Sequence, residues 1–161
     1  MGLEIERKFL VVNDYWRRQA HGVMMCQGYI CSDPHRIVRV RTEDDLAMLT
    51  IKGRTQGVSR AEWEYPIPLD DAKQLLSDLC EKPLIEKKRY RIPFDGFVWE
   101  VDEFFGENAG LVVAEIELES EEQCFSKPDW IGTEVSDDRR YANANLFKHP
   151  FSRWNIACDS S

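Results

Sequence analysis

The stretch Glu4-Ile5-Glu6-Arg7-Lys8-Phe9-Leu10, near the start of the chain, sets a pattern that later segments repeat. In an extended strand, successive side chains point to opposite faces, so Glu4, Glu6 and Lys8 share one face. Most of the apolar side chains take the other face. The polar row is a chemical pattern of two carboxylates and an ammonium group, although a solvated outer face would produce the same alternation.

Composition and charge limit the classes of protein to which this chain can belong. Of the 161 residues, 43% are hydrophobic and 11% aromatic, which suits one domain spanning residues 1–161. The formal net charge of −8 argues against a general nucleic-acid binder, because such proteins neutralise phosphates with lysine and arginine. A small polyanion held in a local basic pocket remains compatible with this charge.

Cysteine usage and hydropathy predict a cytoplasmic protein with no membrane attachment. The five cysteines are odd in number and widely spaced, and no Cys-x-x-Cys occurs, which favours reduced thiols over structural zinc. No apolar run approaches the roughly 20 residues of a membrane helix. The sequence is charged from Glu4 onward, so we expect no signal peptide.

Eight segments have the composition of strands, separated by turns of which Asp95-Gly96 is the strongest hairpin signal. The predicted strands are Glu4–Leu10, Met24–Ile30, Arg36–Thr42, Ala47–Lys52, Arg60–Ile67, Leu84–Pro93, Phe97–Phe104 and Leu111–Leu118. Apolar residues at helical spacing predict a helix over Asp70–Leu79. In the last quarter of the chain we expect a helix over Glu121–Phe125, a loop over Pro128–Ile131 and a helix over Tyr141–Phe147.

Most of these strands carry one charged face and one apolar face. An ordinary small barrel fills its interior with apolar side chains, which would leave the charged rows outside. Here the apolar rows include Phe9, Trp63, Tyr90 and Trp99, which are too bulky for so small a lumen. The helices also need an apolar sheet surface to cover. We therefore predict a mostly β (α+β) fold, an eight-stranded antiparallel tunnel with a charged lumen and helices packed outside.

A tunnel lined by both signs of charge has a chemical use. Carboxylates on opposite walls can bind Mg²⁺ or Mn²⁺, which take oxygen ligands and share them with substrate phosphates. Arginine and lysine can hold the remaining phosphate oxygens, arginine through two parallel hydrogen bonds. The residues alone thus favour a site for a polyphosphate and a metal.

The ordered set of strand motifs resembles the CYTH family, the triphosphate tunnel metalloenzymes. Glu4-Ile5-Glu6-Arg7-Lys8 is similar to the family's ExExK signature. The other matching segments are Arg39-Val40-Arg41, Leu49-Thr50-Ile51-Lys52, Arg60-Ala61-Glu62-Trp63-Glu64, Glu86-Lys87-Lys88-Arg89-Tyr90, Trp99-Glu100-Val101-Asp102, Glu115-Ile116-Glu117 and the C-terminal Asp138-Arg139-Arg140-Tyr141-Ala142-Asn143. ExExK alone is weak, but the ordered set covers nearly the whole chain.

The resemblance implies a role for each matching position. It implies metal ligands at Glu4, Glu6, Asp102, Glu115 and Glu117. It implies phosphate contacts from Lys8, Arg39, Arg41, Lys52, Arg89 and Arg139. Arg60, Glu62, Glu64 and Glu100 also match the motifs, but they could equally form lumen ion pairs that hold the other side chains in place. Lys87 would lie close to the reacting end, and Tyr29 resembles a tunnel tyrosine of the tripolyphosphatase members.

Lys87 and Tyr29 have two interpretations. As a catalytic pair, they would orient and deprotonate the attacking water. Alternatively, Lys87 is one more phosphate clamp and Tyr29 is barrel packing.

The leading functional hypothesis is a metal-dependent inorganic tripolyphosphatase that acts as a monomer or homodimer. Class IV adenylyl cyclase and thiamine triphosphatase are alternatives that share the tunnel. A non-catalytic polyphosphate-binding module, or a purely structural barrel, is the alternative from another class. Short loops leave little material for a nucleoside pocket, which favours a small inorganic substrate.

Overall fold

A computed structural model describes residues 2–154 and contains nine strands and two short α-helices. The strands are β1 (Gly2–Val11), β2 (Val23–Cys31), β3 (Arg36–Glu43), β4 (Leu46–Gly53), β5 (Ser59–Pro66), β6 (Ile85–Phe94), β7 (Phe97–Phe104), β8 (Val112–Glu117) and β9 (Ile131–Glu134). The helices are α1 (Leu69–Asp78) and α2 (Asn143–Leu146). Short 3₁₀ turns lie at Tyr15–Arg18, Gly106–Asn108, Arg139–Tyr141 and Phe151–Arg153. Cys158, predicted to be reduced, lies outside the described residues.

The first eight strands close into an antiparallel barrel, which confirms the predicted fold. They pair in the order β5-β4-β3-β2-β6-β7-β8-β1, and β1 then pairs back onto β5, with Glu4 opposite Arg60. The two-residue turn predicted at Asp95-Gly96 joins β6 to β7, and both residues have positive φ, as this hairpin type requires. Closure leaves no unpaired edge in the eight-stranded ring.

The apolar rows face outward, as the bulk of their side chains predicts. Phe9, Trp99 and Ile116 are completely buried although they lie on the outer face of the barrel. They form one cluster with Trp16 from the first 3₁₀ turn and Trp130 from the segment before β9. The core is therefore a set of clusters between the barrel and its outer cover rather than a filling of the lumen.

Two other segments cover the remaining outer surface. Helix α1 buries Ala72 and Leu76 against Val40 of β3, as its apolar spacing predicts. The C-terminal segment packs Leu146 and Phe147 into a third cluster that includes Tyr29. None of the helices within residues 2–154 is long and apolar enough to cross a membrane.

The segment between β8 and β9 corrects one prediction. Residues Glu121–Phe125, predicted as a helix, form a turn followed by an extended loop. Phe125 packs edge-on against Phe9 and Trp99, so contact with the barrel, rather than local helical propensity, decides the backbone here. The predicted loop over Pro128–Ile131 leads into β9, which the sequence did not predict and which extends the sheet alongside β1.

The predicted C-terminal helix over Tyr141–Phe147 is present in a shorter form. A 3₁₀ turn ends at Tyr141, and the α-helix proper is α2, which is only four residues long. Tyr141, Leu146 and Phe147 are buried in the cluster that includes Tyr29 of β2, so this segment packs against the barrel although its helix is short.

Candidate active site

The lumen of the barrel is a charged cavity of about 220 Å³. All but two of the predicted site residues line it: Glu4, Glu6, Lys8, Tyr29, Arg39, Arg41, Lys52, Arg60, Glu62, Glu64, Lys87, Arg89, Glu100, Glu115 and Glu117. The first exception, Asp102, binds Lys87 and Arg89 through its carboxylate. The second, Arg139, lines an adjoining cavity that shares Glu4 and Lys8 with the lumen.

Strand register explains why opposite charges lie side by side in the lumen. Glu4 is opposite Arg60 across β1 and β5, and Lys8 is opposite Glu115 across β1 and β8. The Lys8 Nζ atom is 3.7 Å from Glu115 Oε1. Since opposite residues on one sheet face are near neighbours, each such pair reduces the repulsion within the rows.

Some of the predicted supporting residues are held by direct contacts. Lys52 Nζ donates to Glu4 at 3.0 Å and lies 3.6 Å from Glu62 Oε2. The guanidinium of Arg60 donates twice to the carbonyl of Gly53, at 2.9 and 3.1 Å. These contacts fix the positions of side chains at the β1–β5 seam.

The acidic side of the lumen is crowded with like charge. Glu6 and Glu117 are directly opposite each other in the β1–β8 register. Glu117 is exposed to solvent, but partial burial of its carboxyl group raises its pKa, and the charges of Glu4, Glu6 and Glu100 raise it further. Burial also raises the pKa of Glu115, and Glu6 adds to that shift. A bound divalent cation would relieve this repulsion, so the chemistry of the donor set fits a hard cation with oxygen ligands.

The basic side of the lumen contains donors without acceptors. The Nε atoms of Arg39 and Arg41 are buried and have no hydrogen-bond partner in the described part of the chain. Burial lowers the pKa of the Arg41 guanidinium, and the charges of Arg39 and Arg89 lower it further. Buried donors that lack partners destabilise a fold, and an anion with several oxygens would satisfy both arginines.

A buried ion-pair cluster joins β6 to β7. Arg89 donates to both carboxylate oxygens of Asp102, at 2.7 and 2.8 Å, and Lys87 Nζ lies 2.9 Å from Asp102 Oδ2. Burial alone would raise the pKa of Asp102, but the two cations outweigh it and hold that pKa far below its usual range. Both oxygens of Asp102 are thus already bound by cations.

Lys87 is the most deeply buried cation of the lumen, at 2% exposure. Burial lowers its pKa to about 8; Asp102 opposes the shift and Arg89 adds to it. The pKa is lowered on balance because the cost of burying the ammonium charge outweighs its attraction to Asp102. Lys87 also donates to Asn143 Oδ1 at 3.0 Å.

Two buried amides at the site were given no role in the sequence analysis. Gln27 is fully buried and donates to Tyr29, and Asn143 enters the lumen from the C-terminal segment. Arg91 shares the charged strand face of Lys87, and it lines the lumen as the alternation predicts, where it pairs with Glu100. The neutral amides Gln27 and Asn143 add nothing to a charge pattern, so the alternation of charges did not reveal them.

Comparison with known proteins bears on the family. The model of the CYTH domain family matches residues 2–145. The chain is 54% identical to an inorganic triphosphatase of Acetivibrio thermocellus over 154 residues, covering 96% of this chain and 99% of the relative.

The chain belongs to the CYTH domain family.

Further similarities agree with this CYTH domain assignment. An inorganic triphosphatase of Nitrosomonas europaea is 36% identical over 148 residues, covering 89% of this chain and 95% of the relative. A crystal structure of an inorganic triphosphatase superposes with a TM-score of 0.65 at 33% identity, covering 89% of this CYTH chain and 96% of its own. The match confirms the sequence-based resemblance and the tunnel fold.

Proposed function

We propose that this CYTH domain hydrolyses inorganic tripolyphosphate to pyrophosphate and phosphate inside its tunnel, with a divalent cation. The observation that carries the proposal is the juxtaposition, in one lumen, of a crowded carboxylate row and the two unsatisfied arginine donors, Arg39 and Arg41. The relatives named inorganic triphosphatase support the choice of reaction.

The lining of the lumen favours an inorganic substrate over one with an organic ring. Tyr29 is the aromatic side chain among the described lining residues, and Phe147 stacks on it at a ring distance of 5.4 Å. Tyr29 is only 3% exposed, so it offers no open face to adenine or to a thiazolium ring. A bare triphosphate needs only the charges and donors that the lumen provides.

The carboxylate row would hold the cation, for which we propose Mg²⁺ or Mn²⁺ bound by Glu4, Glu6, Glu115 and Glu117. Within residues 2–154 no three ligating side chains are already grouped around one point, and phosphate oxygens and water would complete the coordination. Bound there, the cation would neutralise phosphate charge and activate water. The sequence also proposed Asp102 as a ligand, but its contacts with Arg89 and Lys87 favour a supporting role.

The cations of the tunnel would bind and orient the triphosphate. We propose that Arg39, Arg41, Lys8 and Lys52 neutralise the phosphate oxygens, with Arg139 acting at the adjoining cavity. Arg89 would also neutralise phosphate oxygens while it keeps its ion pair with Asp102. During reaction, water attacks the terminal phosphorus and releases a proton to solvent, while the bond to the bridging oxygen breaks and negative charge moves onto the leaving pyrophosphate.

Lys87 would act beside the reacting end. Two of its three N–H groups are directed at Asp102 and Asn143, which leaves one to donate to a phosphate oxygen or to the attacking water. This geometry favours an ammonium group that donates over a base that accepts a proton.

We also propose that residues 1–161 act as one domain, as a monomer or homodimer. Cys26, Cys31, Cys80 and Cys124 are free thiols, which supports a reducing compartment such as the cytoplasm.

Phosphate release from a substrate panel tests the proposed function. The panel is tripolyphosphate, ATP and thiamine triphosphate, each with Mg²⁺, with Mn²⁺ and with a chelator, and cyclic AMP is measured for ATP. We expect kcat/KM for tripolyphosphate to exceed the other two by about tenfold or more, a difference of about 1.4 kcal/mol. Activity that survives chelation, cyclic AMP formation, or preference for an organic triphosphate would overturn the proposal.

Arg39→Ala and Arg41→Ala are each expected to raise KM for tripolyphosphate. Each removes a charge-assisted hydrogen bond worth about 1.5–3 kcal/mol, equivalent to about 10- to 150-fold in binding. The bond forms before the reaction as well as during it, so kcat should fall less than KM rises. Initial-rate kinetics over a range of tripolyphosphate concentrations measure both quantities.

Arg36→Ala is the matched control, because Arg36 lies on the same strand but its side chain is 78% exposed and pairs with Asp33 outside the lumen. KM should stay at the wild-type value in this variant. An unchanged KM in both lumen variants would mean that Arg39 and Arg41 do not contact the substrate.

A further inference from the structure

A chain of hydrogen bonds runs from the ion-pair cluster to Tyr29 through two neutral amides. Lys87 Nζ donates to Asn143 Oδ1 at 3.0 Å. Gln27 Nε2 lies 3.2 Å from the same Asn143 Oδ1 and 3.0 Å from Tyr29 Oη. Gln27 comes from β2, and Asn143 is the first residue of α2, so the chain links the barrel wall to the C-terminal segment.

The chemistry of each partner fixes the direction of every bond in this chain. The Lys87 ammonium can only donate, so the Asn143 atom facing it must be the carbonyl oxygen. The Gln27 atom facing that oxygen must then be the amide nitrogen, because two carbonyl oxygens 3.2 Å apart would repel. The other N–H of the Gln27 amide is donated to Tyr29 Oη.

Tyr29 is therefore the acceptor in its bond with Gln27, and its own hydrogen must point elsewhere. The phenol lines the lumen, where Lys8 and Arg39 are its charged neighbours. Neither cation can accept a hydrogen bond. The hydroxyl hydrogen is thus available to an acceptor that enters the lumen, and phosphate oxygens are such acceptors.

The Gln27 amide keeps its Nε2 atom toward Asn143 and Tyr29, and its burial indicates that this orientation reduces the stability of the fold. Gln27 is completely buried, and its Oε1 atom has no hydrogen-bond partner in the part of the chain that the structure describes. An unsatisfied buried carbonyl destabilises a fold. Rotating the amide would not help, since it would direct Oε1 at the oxygen of Asn143.

We propose that Gln27 and Asn143 are positioning residues that hold Tyr29 as a hydrogen-bond donor to a phosphate oxygen of the bound triphosphate. The inference rests on the proposed function and deepens it, since it names the amides through which Lys87 sets the donor direction of Tyr29. Tyr29 then contributes a directed hydrogen bond rather than a base.

Two variants that make the same change in charge test the donor and acceptor direction of these hydrogen bonds. In Gln27→Glu the carboxylate can only accept, so the Tyr29 hydrogen turns toward it and away from the lumen. In Asn143→Asp the new carboxylate still accepts from Lys87 and from Gln27, so the direction is kept. We expect kcat for tripolyphosphate in Asn143→Asp to exceed that in Gln27→Glu by about tenfold or more, which is about 1.4 kcal/mol.

A double-mutant cycle with Tyr29→Phe separates positioning from mere structural support. Tyr29→Phe should lower kcat about tenfold in the wild-type background, but less than twofold in the neutral Gln27→Met background, where the hydroxyl is no longer directed. If Tyr29→Phe lowers kcat by the same factor in the wild-type and Gln27→Met backgrounds, the proposal is wrong. Equal kcat values in Gln27→Glu and Asn143→Asp would also overturn it. Gln27→Met also serves if Gln27→Glu fails to fold, as judged by circular dichroism.

Asn108→Leu is the matched control for loosening of the C-terminal segment. Asn108 is a buried amide whose Oδ1 accepts from the backbone N–H of Phe151, away from the lumen. We expect this variant to keep wild-type kcat and the full Tyr29→Phe effect. Loss of that effect in Asn108→Leu would overturn the positioning role.

If wild-type protein releases no phosphate from tripolyphosphate, the proposed function itself is wrong and this inference with it.

Discussion

Glu117→Gln is expected to lower kcat/KM for tripolyphosphate by about 100-fold or more, equivalent to about 2.7 kcal/mol. The substitution keeps the size of the side chain and removes one charge from the crowded carboxylate row opposite Glu6. Glu117 is exposed, so the substitution should leave folding intact. Mn²⁺ binding by calorimetry, in the presence of a non-hydrolysable triphosphate, should weaken in parallel with turnover.

Glu119→Gln is the matched control for Glu117→Gln. It removes the same charge two residues later, at an exposed position that does not line the lumen. Turnover and Mn²⁺ affinity should both match wild type. Near-normal turnover in Glu117→Gln would show that this carboxylate is not a cation ligand.

Asp102→Asn is expected to cost about 3–5 kcal/mol in the free energy of unfolding. The change leaves the buried cations Arg89 and Lys87 without the carboxylate that both of them contact. Because small domains are stable by only about 5–15 kcal/mol, this loss should be plain in urea unfolding followed by circular dichroism. A loss below about 1 kcal/mol would mean that the cluster does not stabilise the fold.

The neighbouring Glu103→Gln provides the comparison for Asp102→Asn. Glu103 pairs with Arg17, whose side chain is 39% exposed, and such surface pairs contribute about 0–1 kcal/mol. The two variants differ by one position and make the same charge change, so a large difference between them isolates the effect of burial.

The same cluster predicts how stability depends on pH. The pKa of Asp102 is lowered in the folded state from its ordinary value of 3.8. Its contribution is thus fully present above pH 3.8 and is lost as pH falls toward the folded-state pKa. Asp102→Asn should remove this part of the acid dependence.

Much of the site can be predicted from two features of the sequence, the alternation of side chains along each strand and one hairpin turn. The charged rows predicted the lumen because alternation places every second side chain on the same face. The Asp95-Gly96 turn pairs Phe94 with Phe97, and counting outward along both strands places Arg89 opposite Asp102. This ion pair was therefore within reach of the sequence, although the resemblance assigned Asp102 to the metal.

The rest of the site depends on contacts between distant segments. Glu6 and Glu117 face each other because β1 pairs with β8, and neither strand carries a local signal for that register. Gln27 and Asn143 meet only once the C-terminal segment has folded onto the barrel. Strand β9 is four residues long, and its pairing with β1 outweighs a sequence that has no clear alternation.

The outward-facing core has a consequence for how such a protein can change over time. Phe9, Trp99 and Ile116 keep the barrel folded from outside, whereas most lumen side chains contribute little apolar packing. Substitutions in the lumen can therefore accumulate with a small penalty in folding, provided that each buried charge keeps a partner. The same fold can in this way acquire lumens that bind different anionic ligands, while the apolar residues on its outer face are retained because they stabilise it.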